Sequence, residues 1–202
     1  MYRSLVIVDD FYAEPLRLRQ AALALDYPEG TGTRPFPGRT SATPILPQGF
    51  NETVAALVGE RLAPPASPNA FHGNFRLTQA GETGRYHVHV DPSGLAWVGV
   101  IYLSLPPDCA GGTAFYRHKA LGLDRTPTEQ AQLDRLGLPS IPALLQRDGP
   151  DAAAWEHLMT VPMRFNRAIF YKPWLWHSAG PGFGDRPENA RLIQLVAMRY
   201  PQ

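Results

Sequence analysis

Tyr86-His87-Val88-His89-Val90-Asp91 carries three ionisable side chains at alternate positions. On an extended chain successive side chains point to opposite faces, so His87, His89 and Asp91 share one face and Tyr86, Val88 and Val90 the other. Such a face is costly unless it is wet or binds a metal. Two neutral imidazoles and a carboxylate with open coordination positions suit Fe(II). One strand supplies only part of such a site, so a further ligand must come from elsewhere in the chain. His177 is the best placed of the remaining histidines: it ends the strand-like run from Phe170 and is followed by a glycine-rich turn. His72 precedes the strands, and His118 and His157 lie at or within a mid-chain insert.

The period of two extends outward from this stretch. Phe75 to Ala80, Tyr86 to Asp91, Ala96 to Leu105 and Thr113 to Tyr116 read as strands separated by Gly- and Pro-rich turns. After Pro162 strands resume at Arg164 to Tyr171, Leu175 to His177 and Arg191 to Tyr200. Upstream, Leu5 to Val8 reads as a short strand, and Pro15 opens a helix with Leu16, Ala21, Ala22 and Leu25 on its apolar side. Residues 27 to 50 read as an irregular loop. Asn51 then caps a helix whose apolar positions are Val54, Leu57, Val58 and Leu62, and Pro64, Pro65 and Pro68 stop it. Between the two sets of strands, Thr126-Pro127-Thr128-Glu129 reads as a capping box with Gly137 at the far end, and Pro150 starts a second helix carrying Trp155 and Leu158.

The expected fold is α+β and mainly β: a double-stranded β-helix, or jelly roll, with N-terminal helices packed on one sheet and a helical insert. As a single domain, residues 1–70 form the helical support, 71–116 and 162–200 the jelly-roll core, and 117–161 the insert or lid. Composition agrees. With 18 Gly and 21 Pro in 202 residues, long helices are disfavoured, while 44% hydrophobic residues with 4 Trp, 8 Tyr and 9 Phe exclude general disorder. A net charge of +1 leaves no basic field for nucleic acid or anionic lipid. Cys109 is the single cysteine, which excludes an internal disulfide framework and thiolate clusters. The acidic Asp9-Asp10 so near the start does not fit a signal peptide, and no apolar run approaches the ~20 residues of a membrane span. A soluble cytoplasmic protein is expected.

Arg191 opens the final apolar strand, and an arginine at the edge of such a strand either pairs a carboxylate bidentately or lies at the strand end in solvent. With Arg191 added to the HxD stretch and the distant His177, the chain resembles the Fe(II)/2-oxoglutarate-dependent oxygenases. The likeness is to their prolyl-hydroxylase-like branch and, within it, to bacterial proteins of the DUF6445 type. Val8-Asp9-Asp10-Phe11-Tyr12, the lead from Phe75 into His89-Val90-Asp91, Val100 to Ser104, Gly111-Gly112 to Phe115, Phe170 to His177 and Arg191 to Val196 carry it. The resemblance implies that His89, Asp91 and His177 are the iron-holding facial triad. It implies further that Arg191 pairs the far carboxylate of 2-oxoglutarate and that Tyr102 hydrogen-bonds the same group. It also implies the chemistry: O2-dependent decarboxylation of 2-oxoglutarate to succinate and CO2, coupled to hydroxylation of a small-molecule or peptide substrate.

His87 stands as a third candidate on the ligand face, and Arg199 is a rival to Arg191 at the other end of the strand. Trp97, Trp155, Trp174 and Trp176 gather near the predicted mouth, with ordinary core packing expected of two or more. His118, beside Arg117 and Lys119, is positioned either to meet a polar or anionic substrate or to be solvated at the insert boundary. Thus His87, His118, Trp97 and Trp176 are the candidate substrate contacts or supports for the ligands. Two other functions compete. One is a cupin-like metalloprotein using His87, His89 and His177 without 2-oxoglutarate, although no glutamate follows His89 at the usual cupin spacing. The other is a non-catalytic jelly-roll binding module.

Overall fold

Among the described residues, antiparallel strands outweigh the helices. The computed structural model describes residues 2–29, 36–67, 71–85 and 87–202; Tyr86, Pro68 and part of the expected 27–50 loop lie outside them. In chain order the strands are β1 (Leu5–Val8), β2 (Arg39–Thr40), β3 (Phe75–Thr78), β4 (Trp97–Tyr102), β5 (Gly112–His118), β6 (Trp155–Pro162), β7 (Ala168–Tyr171), β8 (His177–Ser178) and β9 (Arg191–Met198). The helices are α1 (Pro15–Leu23), α2 (Phe50–Val58), α3 (Gln130–Asp134) and α4 (Ile141–Asp148).

A six-stranded sheet runs β1-β7-β4-β9-β3-β2 and a three-stranded sheet runs β6-β5-β8. Every pairing is antiparallel. Alternation sorts the large sheet's side chains into two layers. Trp97, Ile101, Phe170, Leu192, Val196 and Met198 pack against Leu18 and Ala22 of α1 and Phe50, Val54 and Val58 of α2. Val98, Val100, Tyr102, Ile169, Tyr171, Ile193 and Leu195 face the other way, toward Phe115 and Val161 of the small sheet. Full burial of one such side chain contributes about 1.5–3 kcal/mol. Gly99 permits the close approach of β4 and β7, since a Cβ there would collide with the Ile169 carbonyl and the Phe170 ring.

The outer face of the small sheet carries the insert. Leu133 and Leu138 around α3 and Leu144 of α4 pack with Tyr116, Trp155 and Trp176. The helix α4 is capped by Ser140, whose hydroxyl accepts from the Ala143 N–H. The box at α3 sits three residues beyond the expected one: the Gln132 side chain accepts from the Glu129 N–H at 3.3 Å. Likewise α2 begins after Gly49 (φ 76) rather than at Asn51, and ends at Gly59 (φ 75). Leu16, expected on the apolar side of α1, points outward at 57% exposure, and Leu18 enters the core in its stead.

Two expectations are corrected. The helix from Pro150 does not form; Trp155 and Leu158 lie on β6, whose backbone pairs with β5 through a bulge at Phe115/Tyr116. The spacing of Trp155 and Leu158 mimics a helical face, but an available strand partner overrides that local signal. The HxD stretch is not a regular strand either. Among its described residues only His89 bridges to a strand, while the N–H groups of His87 and Val88 both donate to Gly149 O, at 3.0 and 3.1 Å. No helix among the described residues is long and apolar enough to cross a membrane.

Candidate metal centre and its cavities

His89 and His177 are held together by their backbones. The His89 N–H donates to His177 O at 2.9 Å and the His177 N–H to His89 O at 3.0 Å. This pairing brings the two rings to a centroid distance of 4.2 Å. Asp91 is anchored two residues on, where its N–H donates to Pro173 O at 3.0 Å. The candidate ligand atoms of His89, Asp91 and His177 all lie within 4.8 Å of one another. His177 Nε2 is 3.3 Å from Asp91 Oδ2.

The protonation pattern suits a metal. His177 Nδ1 lies 2.8 Å from the Leu175 carbonyl. A carbonyl only accepts, so Nδ1 donates this bond and Nε2 is left turned toward Asp91. Burial above all holds the His89 pKa well below its ordinary value. A neutral imidazole is what coordination requires. His89 Nδ1 is buried and has no hydrogen-bond partner, and a buried polar atom left unsatisfied calls for a ligand or a reason. Two imidazoles and one carboxylate on one side of a cavity therefore fit a divalent cation with open positions.

Two cavities meet at this cluster. The smaller, about 70 Å³, is lined by Arg76, Asp91, Thr113, Tyr171, His177 and Arg191, among others. Arg191 is 2% exposed, and its Nε and Nη2 have no hydrogen-bond partner among the described residues. Strand alternation explains its placement, because Arg191, Ile193 and Leu195 of β9 all face this cavity. Tyr171 forms part of the wall, its ring edge-on to His177 at 4.8 Å. Burial drives the Tyr171 pKa well above its usual value, with Asp91 adding to the effect. The Tyr102 hydroxyl lies 2.8 Å from Oγ1 of Thr113, a residue of the cavity wall.

The larger cleft, about 530 Å³, shares Phe36, Pro37, His89 and Ala179 with the smaller cavity. His87, Tyr116, His157, Thr160 and Ser178 give it hydroxyls and imidazoles. The Tyr116 hydroxyl lies 3.1 Å from Ser178 Oγ and 3.5 Å from His87 Nε2. Gly180 (φ 73) forms a bare wall, since a Cβ there would come within 2.6 Å of Gly112 O.

The other sequence candidates lie elsewhere. His118 is buried, and its Nδ1 accepts from the Leu121 N–H at 3.2 Å, so Nε2–H donates to Asp148 Oδ2 at 2.8 Å. It fastens the insert and lines neither cavity. Trp97 donates to Glu60 Oε2 at 3.0 Å beneath the Lys172 ammonium, 4.2 Å from its ring. Trp176 packs on Trp155 at 5.1 Å. Both tryptophans are core residues. Arg199 turns away, donating to Pro64 O at 3.0 Å. Sequence reasoning missed Arg76, Thr113, Tyr171 and Tyr116. Arg76 was within reach, because the alternation of Phe75-Arg76-Leu77-Thr78 puts a guanidinium on the face opposite two apolar side chains.

Comparison with solved structures yields relatives of the same fold. HygX from Streptomyces hygroscopicus, solved with nickel and 2-oxoglutarate bound, is 15% identical, with a TM-score of 0.54 over 98% of this chain and 83% of that one. The non-heme alpha-ketoglutarate-dependent carbocyclase SnoK from nogalamycin biosynthesis is 14% identical, with a TM-score of 0.55 over 98% and 80%. The non-heme alpha-ketoglutarate-dependent epimerase SnoN from the same biosynthesis is 17% identical, with a TM-score of 0.53 over 98% and 78%. The comparison with curated proteins finds no match. The model of a family of unknown function, DUF6445, matches residues 2–192, and the chain belongs to that family.

Proposed function

We propose that the chain is an Fe(II)- and 2-oxoglutarate-dependent oxygenase, most simply a hydroxylase. The overall reaction converts R–H, O2 and 2-oxoglutarate into R–OH, succinate and CO2. The observation that carries this reading is the meeting of the His89, Asp91 and His177 donor atoms, within 4.8 Å of one another, with a cavity whose buried Arg191 has two unpartnered nitrogens. Strand order supports it. We read β3, β9, β4 and β7 as one face of a double-stranded β-helix, and residues 87–91, β8, β5 and β6 as the other.

In this reading His89, Asp91 and His177 hold the iron, and Arg191 pairs the far carboxylate of 2-oxoglutarate. Bound together, the metal and the keto acid supply O2 activation and the oxidation of a C–H bond. The chain's own residues bind, orient and exclude water. Leu175 O fixes the His177 ring, and Val98, Val100 and Ile193 give the cosubstrate cavity apolar walls. Tyr102, whose hydroxyl lies 2.8 Å from Thr113 Oγ1 on the cavity wall, supports the same far carboxylate. The larger cleft takes the substrate, a small molecule or peptide, against His87, Tyr116 and Ser178, and residues 117–161 cover the core. A reducing cytoplasm suits the half-buried free thiol of Cys109.

His87 belongs with Tyr116, their rings 5.7 Å apart, which argues against a His87, His89, His177 metal set. The test is turnover of 2-oxoglutarate to succinate without added substrate. It should require Fe(II) and disappear in Asp91→Ala; an unchanged rate in that variant would overturn the site assignment.

A further inference from the structure

Two guanidiniums, not one, line the cosubstrate cavity. Arg76 sits on β3 opposite Ile193, and Arg191 sits on β9 opposite Thr78, so the two are diagonal neighbours across one strand pair. Among the described lining residues Asp91 is the single carboxylate. Arg76 is held in place rather than loose. Its Nε and Nη2 both donate to Thr40 Oγ1 at 3.2 Å, and its guanidinium lies 5.3 Å from the centre of the Phe36 ring. Phe36 in turn stacks near His89, ring centroids 4.4 Å apart. Arg76 therefore stands on the side of the cavity nearer the metal ligands. A hydroxyl and an aromatic face orient a guanidinium without neutralising it. Burial, with Arg191 nearby, pushes the Arg76 pKa down to about 10. Two like charges aimed into one small cavity are tolerated when an anion with two charged ends joins them.

Building on the oxygenase reading, we propose that Arg76 is a second cosubstrate-binding residue. It takes the carboxylate next to the keto group while Arg191 takes the far one, so that together they select a 2-oxo dicarboxylate. Loss of Arg76 then weakens any 2-oxo acid, whereas loss of Arg191 weakens only acids with a second carboxylate. Arginine matches a carboxylate bidentately, and lysine does not reproduce that fork.

The test is calorimetric titration of the full chain loaded with Mn(II), a redox-silent stand-in for Fe(II). The probes are 2-oxoglutarate and 2-oxobutanoate, which keeps the 2-oxo acid head and lacks the far carboxylate. In Arg76→Gln the Kd for both should rise by a similar factor, roughly tenfold or more. In Arg191→Gln the Kd for 2-oxoglutarate should rise and that for 2-oxobutanoate should stay. Thr40→Val, which removes the hydroxyl that aims Arg76, should weaken both acids in the same proportion by a smaller factor. It carries the test if Arg76→Gln does not fold. Wild-type affinity in the Arg76 and Thr40 variants, or a loss confined to 2-oxoglutarate, would overturn the proposal. Failure of the wild-type Mn(II) protein to bind 2-oxoglutarate would overturn the oxygenase reading and this proposal with it, and that result is seen before any variant is made.

Discussion

His89 and His177 lie in chain segments far apart in sequence, yet their backbones exchange both hydrogen bonds, at 2.9 and 3.0 Å. The ligand cluster is thus built into the hydrogen bonding of the small sheet rather than left to side-chain rotamers. Metal affinity should follow the three residues of the cluster and no others. After loading under anaerobic conditions, elemental analysis should find about one equivalent of iron in wild type and in His87→Ala. It should find little in Asp91→Ala or His177→Ala. Retention by Asp91→Ala together with loss in His87→Ala would favour the alternative set of His87, His89 and His177.

Arg191 is buried with two unpartnered nitrogens. Arg191→Gln should leave metal content unchanged and raise the KM for 2-oxoglutarate by roughly 10- to 100-fold, the range expected for a lost charge-assisted pair. Arg199→Gln, on the same strand but turned toward Pro64, should leave that KM as in wild type. Initial rates of succinate formation at varied 2-oxoglutarate check both.

His72 gives the fold a pH dependence unrelated to the metal. Its Nδ1 accepts from the Ala197 N–H at 3.3 Å, so its Nε2–H donates to Asn51 Oδ1 at 2.9 Å, and the ring is neutral. Burial pushes its pKa from 6.5 down to about 4. Below pH 6.5 the unfolded chain takes up a proton that the native state refuses, so stability falls with pH until about pH 4, where the native ring also protonates. The loss is of order 3 kcal/mol across that window. Urea unfolding at several pH values should show it, and His72→Gln should flatten this component.

The insert is fastened by burial. Leu144 is fully buried on α4, whereas Leu16 on α1 is 57% exposed. Leu144→Ala should destabilise the fold by about 2–5 kcal/mol, and Leu16→Ala by under about 0.5 kcal/mol. Denaturant midpoints compare the two directly.

The strands of the large sheet were legible because alternation, turns and Pro15 are local signals. The residues of the metal cluster were legible for a different reason: His89 and Asp91 stand two apart, and the His177 type and position are unusual for a strand end. What escaped depends on long-range partners. Residues 155–162 pair with β5, a fact that no window around Trp155 contains, and so they read as helix. The sequence leaves His118 open between a substrate contact and a solvated boundary residue, because its partner Asp148 stands thirty residues on.

The central claim is that His89, Asp91 and His177 bind Fe(II) together with 2-oxoglutarate. Anaerobic titration of the protein with Fe(II) and then 2-oxoglutarate, followed in the visible region, tests it most directly. The account predicts a weak metal-to-ligand charge-transfer band that saturates with 2-oxoglutarate in wild type and is missing from Asp91→Ala. A wild-type protein that binds Fe(II) but develops no such band, or an Asp91→Ala protein that develops the same band, would contradict it.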